Sequence, residues 1–196
     1  MFSAQFLEET ARIAASIDPD DVEAIAAGLA ACRDRGGRLF VIGVGGGAGH
    51  ASHAVCDFRK LAGFEAYTPA DNVSELTART NDEGFESVFV AWLHASRLRA
   101  GDAVLVFSVG GGSRSHGISL NVVQAVELAR SVGASVFGVV GRSDGATAEL
   151  AAACVVAPAP ASRLTPHTEA FQAVVWHLLV SHPLLAAAPA KWESVG

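Results

Sequence analysis

The chain has 196 residues, of which 51% are hydrophobic and 17% are charged, and its formal net charge is −6. This composition excludes a disordered chain, and the length favours a single domain, residues 1–196, with a sizeable core. Direct binding to nucleic acid is not expected from the acidic balance and the lack of a basic run, since the phosphate backbone requires clustered Lys and Arg.

The same sequence argues against a membrane or secreted location. No apolar run reaches the length of a transmembrane helix, and the first residues lack the basic and apolar regions of a signal peptide. The cysteines, Cys32, Cys56 and Cys154, are odd in number and scattered, which is typical of reduced thiols in a cytoplasmic protein. None forms a CxxC pair, so a thiolate zinc site is not expected.

The chain opens with a predicted pair of helices, residues 1–35. Apolar residues recur at helical spacing from residue 3 to residue 33. Asp18 and Pro19 interrupt this pattern, and they suit the cap and the first position of a second helix.

Short, continuous apolar segments then predict strands that are buried on both faces. They lie at 38–44, 66–68, 103–108, 135–140 and 154–157. Helices are predicted at 51–61, 73–80, 86–96, 119–132, 146–153 and 168–181. This alternation indicates an α/β fold with a parallel sheet, whose ligands bind at the carboxyl ends of the strands. The Ala- and Pro-rich tail, 183–196, is expected to fray.

The loop after the predicted strand 103–108 has the composition of a phosphate site. Its glycines allow backbone N–H groups to turn towards an anion, its serines add hydroxyl donors, and Ser119 suits the cap of the next helix. Arg114 supplies one fixed positive charge. The residues concerned are Ser108, Gly110, Gly111, Gly112, Ser113, Arg114 and Ser119. The alternative interpretation is an ordinary tight turn between strand and helix.

Another glycine loop, Gly43 to Gly47, follows the first strand. In chain order it is the first glycine loop, and the loop at 110–113 is the second. Gly43 and Gly45 match a dinucleotide fingerprint, but its third glycine falls on Ala48. The acidic residue expected about 20 positions later could only be Glu65, which has no clear strand end before it. A dinucleotide site is therefore not favoured.

Two groups of titratable residues are candidates for chemistry. His53 and Asp57 are four apart on a helix and share a face, so they could bind a metal, orient a base, or simply hydrogen bond; His50 lies one turn away. His177 interrupts an apolar run, either as a catalyst or as a satisfied core residue. Glu169 precedes His177 by eight residues, about 12 Å along a helix, too far to share one ion unless Glu169 precedes the helix or belongs to another subunit.

Four segments resemble the phosphoheptose isomerases (sedoheptulose 7-phosphate isomerases), a family with the SIS (sugar isomerase) fold. Gly43–Gly47 stands where the family has Gly-Asn-Gly-Gly-Ser, and 81–85 matches Asn-Asp-x-Gly-Phe. Phe107–Ser113 matches Ser-Thr-Ser-Gly-Asn-Ser, and Glu169–His177 matches a Gln and a His eight apart. The resemblance implies a SIS-type three-layer α/β/α sandwich with a central parallel sheet, preceded by two N-terminal helices.

The resemblance also implies roles for individual residues. Asp57 and His177 correspond to the acid–base pair, and Ser108, Ser113 and Ser119 to phosphate-binding serines. Some members bind zinc at four positions, which here are His53, Asp57, Glu169 and His177. A sugar-binding Asp of the family maps onto either Asp71 or Asn72.

The departures from the family lie in the site itself. Val44, Gly47, Asp57 and Gly110 replace Asn, Ser, Glu and Ser, and the stretch from Ser113 to Ile118 includes a short insertion. We expect an isomerase that converts sedoheptulose 7-phosphate to a D-glycero-heptose 7-phosphate through an enediol, as a homotetramer with shared sites. The alternative is a non-catalytic SIS protein that binds a sugar phosphate, or a protein such as a replication initiator, as a regulatory oligomer.

Overall fold

The computed structural model describes residues 1–194 and contains the predicted alternation of strands and helices. The strands are β1 (Leu39–Gly43), β2 (Ala66–Tyr67), β3 (Ala103–Ser108), β4 (Ser135–Val140) and β5 (Ala153–Val156). The helices are α1 (Phe2–Ser16), α2 (Pro19–Asp34), α3 (Gly46–Leu61), α4 (Val73–Glu83), α5 (Val88–Ala95), α6 (Leu120–Ser131), α7 (Ala146–Leu150) and α8 (Leu164–Ser181).

The strands form one five-stranded parallel sheet in the order β2-β1-β3-β4-β5. In its register Gly43 pairs with Phe107, and Ser108 pairs with Val140. The carboxyl ends of β1, β3 and β4 therefore lie side by side. This places both glycine loops at one edge of the sheet, as predicted.

Helices cover both faces of the sheet. Because successive side chains of a strand point to opposite faces, Val41 and Leu105 pack in the cluster with α2, α3 and α8, whereas Ile42 and Val106 pack in the cluster with α5 and α6. The predicted three-layer α/β/α sandwich is confirmed. None of the helices in residues 1–194 combines the length and the hydropathy that a membrane span requires.

The two N-terminal helices are also confirmed. The backbone N–H of Asp20 donates to the Asp18 carboxylate at 2.9 Å, which caps α2, with Pro19 at its first position. On α1 the nearly buried Glu9 receives bonds from the Arg163 guanidinium at 2.5 and 2.6 Å and lies 3.1 Å from Nε2 of His167. The bonds from Arg163 are the main cause that lowers the pKa of Glu9 to about 2.

The largest differences from the predictions concern two helix starts and the tail. Helix α3 begins at Gly46, because the glycines that suggested a turn form its first turn, and α8 begins at Leu164 instead of 168. The tail predicted to fray is anchored as far as Ala188: Leu185 is buried, and the N–H of Ala188 donates to the Leu61 carbonyl at 3.1 Å. Residues 195 and 196 of that tail lie outside the described residues.

Candidate active site

The first glycine loop makes a close contact between two strands. A Cβ atom at Gly47 would lie 2.4 Å from the Phe107 carbonyl oxygen, and one at Gly43 would lie 2.4 Å from the Gly47 backbone. Both distances are shorter than packing allows. Packing against β3 therefore accounts for these glycines without a dinucleotide.

Three of the predicted site residues converge at this edge. His53 and Asp57 project from α3, with 3.8 Å between Nε2 and Oδ2, and the rings of His53 and His177 are 5.6 Å apart. One ligand atom from each of these three residues lies within 4.8 Å of the other two. The contact between α3 and α8 thus assembles, within one chain, a group that sequence spacing alone did not connect.

His177 is not a core residue. The indole of Trp176 is fully buried, but the neighbouring imidazole of His177 is exposed. Its Nδ1 donates to the Ala173 carbonyl at 2.7 Å, which leaves the lone pair on Nε2. The alternative interpretation of His177 as a satisfied core histidine is therefore wrong, and the side chain is oriented for proton transfer or for metal binding.

Glu169 stands apart from this group. It lies inside α8, two turns before His177, so the explanation that it precedes the helix is wrong. Its carboxylate covers Gly46 instead, where a Cβ atom would lie 2.5 Å from the Glu169 Cδ. Among residues 1–194 the three-residue group of possible ligands does not include it. Burial lowers the pKa of nearby His50, and the negative charge of Glu169 opposes this shift.

The second glycine loop is held with its carbonyl groups towards α7. The N–H of Ala146 donates to the Gly112 carbonyl at 2.9 Å, and the N–H and hydroxyl of Thr147 donate to the Gly111 carbonyl at 3.0 and 2.8 Å. Gly111 and Gly112 have φ of +73° and +81°, a conformation that favours glycine. The N–H groups of Gly110 and Gly112 have no hydrogen-bond acceptor within the described chain. Such free N–H groups suit an anion.

The predicted phosphate serines occupy different positions around this loop. Ser108 accepts a bond from the Gly111 N–H at 3.1 Å. Ser119 precedes α6 in a left-handed conformation, and its hydroxyl makes no capping bond, so the predicted side-chain cap is wrong. Ser119 lines a 230 Å³ cavity together with Val44 and Phe85. Its hydroxyl is therefore available to a ligand between the two glycine loops.

Ser113 and Arg114 belong to the inserted loop. Ser113 and Ile118 exchange two backbone hydrogen bonds, of 2.8 and 3.0 Å, which close residues 113–118 into a tight loop. Arg114 pairs with Glu127 of α6, with 3.1 Å between Nε and Oε1. Arg114, whose positive charge the sequence analysis assigned to the phosphate, is thus paired with a carboxylate instead.

The structure also separates the two candidates for the sugar-binding Asp. The side-chain oxygen of Asn72 accepts the N–H of Glu75 and caps α4. The Asp71 carboxylate accepts a bond from the Ser52 hydroxyl at 2.5 Å, next to His53 on α3. Of the two, Asp71 is the residue that lies against the helix carrying the site.

A larger cavity, of 460 Å³, lies between the inserted loop and the segment after β4. Four polar residues that line it were not singled out from the sequence as binding residues: Ser115, His116, Arg142 and Asp144. The rule that places ligands at the carboxyl ends of parallel strands could have identified the last two, because they directly follow β4.

Comparison with known proteins agrees with this geometry. The SIS domain family matches residues 5–141. The chain is 33% identical over 149 residues to the phosphoheptose isomerase of Rhodospirillum rubrum, covering 74% of each protein. The chain belongs to the SIS family and, within it, to the phosphoheptose isomerases. The resemblance derived from the four sequence segments is thereby confirmed.

Two further proteins extend the comparison with the phosphoheptose isomerases. The structure of phosphoheptose isomerase GmhA from Neisseria gonorrhoeae superimposes with a TM-score of 0.79 at 26% identity, covering 92% of this chain and 95% of that one. The lincomycin biosynthesis protein LmbN of Streptomyces lincolnensis is 34% identical over 192 residues. The aligned region is 92% of this chain and 66% of the Streptomyces protein.

Proposed function

We propose that the protein is a sugar-phosphate isomerase, an intramolecular oxidoreductase, that converts sedoheptulose 7-phosphate to a D-glycero-heptose 7-phosphate. The observation that carries this proposal is the convergence of His53, Asp57 and His177 at the edge of the sheet that also bears the second glycine loop. Family membership supports the same reaction.

The reaction requires a proton to move between C1 and C2 of the substrate through an enediol. A base removes the C1 proton of the ketose while the C2 carbonyl oxygen is protonated, and the aldose forms when C2 is protonated and the C1 hydroxyl loses its proton. We assign the carbon-bound proton to the mostly buried Asp57 carboxylate. The oxygen-bound protons are assigned to Nε2 of His177, since Nδ1 is engaged by the Ala173 carbonyl. Protonated Nε2 donates its proton to the C2 oxygen, and its lone pair then accepts the proton that the C1 hydroxyl loses.

The same three side chains fit a catalytic zinc ion. Two imidazole nitrogens and a carboxylate oxygen are a ligand set that such sites use, with further positions open to water or substrate. His53, Asp57 and His177 would hold the ion, and Glu169 would join only after a movement or from another subunit. Bound Zn²⁺ would polarise the substrate carbonyl and stabilise the enediol charge.

The phosphate is assigned to the second glycine loop. The free N–H groups of Gly110 and Gly112 and the hydroxyls of Ser108, Ser113 and Ser119 are its donors. Sedoheptulose 7-phosphate should raise the melting temperature by mass action, and unphosphorylated sedoheptulose should do so much less. Equal stabilisation by both would contradict this assignment.

Exposed apolar side chains support an oligomer, which we take to be a homotetramer in the cytoplasm. Val174 and Leu178 flank His177 with exposed fractions of 53% and 43%, and on α1 Phe2 and Leu7 are 69% and 67% exposed. Such side chains are typical of a subunit interface. Because one chain already brings Asp57 and His177 together, subunits need not share that pair.

A non-catalytic regulatory SIS protein is not favoured, because the acid–base groups are assembled in one site. Incubation with sedoheptulose 7-phosphate followed by NMR of the product distinguishes the two functions. Appearance of an aldose signal is expected. Tight binding of the substrate without any product would contradict the isomerase and favour the regulatory alternative.

A further inference from the structure

A buried indole contacts both imidazoles of the candidate active site. The side chain of Trp176 is fully buried, in the cluster that also holds Ala54 and Phe58 of α3. Its ring centroid lies 4.6 Å from that of His53 and 3.4 Å from that of His177. The proposed isomerisation assigns no role to this side chain. One rigid group of α8 thus packs against two histidines that belong to different helices.

The indole and one hydrogen bond together fix the ring of His177. Neighbouring residues of a helix point about 100° apart, so their side chains do not face each other by spacing alone. The imidazole of His177 instead folds back over the indole of Trp176, with an angle of 29° between the ring planes. Its Nδ1 donates to the Ala173 carbonyl, one turn earlier. These two contacts hold the ring in one orientation and leave Nε2 for the substrate.

His53 depends on the indole still more. Its side chain is 60% exposed, and its Nε2 lies 3.8 Å from Oδ2 of Asp57, which is beyond hydrogen-bond distance. Its imidazole makes no hydrogen bond within residues 1–194. Exposed side chains of this kind change rotamer rapidly unless packing restrains them. The contact with Trp176 is the one that joins the His53 ring to a fully buried group.

Packing alone does not explain why this buried residue is a tryptophan. Nε1 of Trp176 is buried and has no hydrogen-bond partner within residues 1–194. A buried N–H without an acceptor costs folding free energy, and buried indoles usually have a partner. Phenylalanine or leucine would occupy the core without that cost. A group that serves a functional site is expected to carry such a cost.

We propose that Trp176 is a positioning residue, which holds the imidazoles of His53 and His177 in the arrangement that the reaction requires. It acts through the two rings and does not touch the reacting atoms. Without the indole, the His53 ring is free to rotate and His177 loses its stacking partner. Groups that orient metal ligands contribute about 10- to 100-fold to activity or metal affinity. Only the reaction that the two rings perform rests on the proposed function.

Proton NMR of the histidine rings tests the positioning without any turnover. The ring current of an indole shifts the resonances of protons that are held near its face. The ring protons of His53 and His177, assigned with His53→Ala and His177→Asn, should show this shift in the unmodified protein. The shift should be lost in Trp176→Leu, which removes the aromatic face and keeps an apolar side chain.

Turnover of sedoheptulose 7-phosphate supplies the second measurement. Trp176→Leu should lower kcat by about 10- to 100-fold and leave KM nearly unchanged, because the phosphate-binding groups are intact. Trp176→Phe keeps one aromatic ring, so its kcat should lie between the two. Trp92→Leu is the matched control, since Trp92 is 8% exposed and packs against Phe40 in the cluster on the other face of the sheet. This control should lose stability and keep its kcat.

The outcomes separate positioning from packing and from the proposed reaction. Unchanged histidine resonances in folded Trp176→Leu would overturn the inference. Equal losses of kcat in Trp176→Leu and Trp92→Leu would also overturn it, because general destabilisation would explain both. If Trp176→Leu does not fold, Trp176→Phe takes its place, and unchanged resonances and kcat in that protein would be equally fatal. Ring shifts that depend on Trp176, in a protein that forms no aldose, would refute the proposed function alone.

Discussion

Replacing His177 by Asn separates a catalytic histidine from a structural one. The imidazole is exposed, and its one hydrogen bond within residues 1–194 is to the Ala173 carbonyl. Loss of such a bond costs about 1 kcal/mol or less. For a chain of this length, 1 kcal/mol shifts the melting temperature by about 2–4 °C. We therefore expect His177→Asn to stay folded, with a melting temperature within about 4 °C of the unmodified protein.

The expected effect on turnover is far larger. A positioned general acid or base contributes about 10²- to 10⁴-fold to the rate. At about 1.4 kcal/mol for each factor of ten, this is about 3–5 kcal/mol of activation free energy. The predicted rise in activation free energy is thus several times the predicted loss of folding free energy. A purely structural role for His177 would not produce this difference.

The assay is NMR-detected aldose formation from sedoheptulose 7-phosphate, with melting followed by calorimetry on the same samples. His94→Asn is the control, because His94 is exposed near the end of α5, in the layer on the other face of the sheet. His94→Asn should change neither turnover nor the melting temperature. Retained turnover in His177→Asn would remove this residue from the mechanism, and a parallel collapse of stability and activity would assign it a structural role.

Further predictions concern metal, acid stability and assembly. Protein purified without chelator should hold about one metal ion per chain by elemental analysis, and His53→Ala should lose it; full activity in EDTA without bound metal would contradict this. Because the pKa of Glu9 is about 2 when folded and 4.5 ordinarily, its stabilisation is complete above the ordinary value and is lost as the pH falls towards 2. The melting temperature should therefore fall as the pH decreases from 4.5 to about 2, and it should fall less in Glu9→Gln than in the unmodified protein. Equal slopes in the two proteins would refute this prediction. Light scattering should give a tetramer, and mixed His177→Ala and Asp57→Ala chains should stay inactive, since one chain supplies both groups; recovered activity would show shared sites.

The strands were easier to predict than the helix starts. The bounds of β3 and β4 agree with the sequence because an unbroken apolar segment, buried on both faces, ends where polar or glycine residues begin. Helix α3 was predicted to start late, because the glycines at 46, 47 and 49 are typical of turns. In the fold they are helical, and two of them allow close contact with β3 and with Glu169.

From spacing alone, the site was predictable only where its residues share one element, and the link to His177 came from the family resemblance. Spacing along α3 identified His53 and Asp57, but their meeting with His177 depends on how α8 packs against α3. Spacing could not show which arginine lines the cavity beside the second glycine loop. Arg114 lies within the predicted loop yet pairs with Glu127, whereas Arg142 arrives from another strand.

The close contact between the first glycine loop and the Phe107 carbonyl bears on how this enzyme can diversify. Because a Cβ atom at Gly43 or Gly47 would collide with backbone in this chain, a side chain at either position requires the loop or β3 to shift. Val44 and residues 114–118 are exposed and free of that constraint. Substitutions at these exposed positions, in evolution or by engineering, can therefore change the shape of the site without moving the strands that support it.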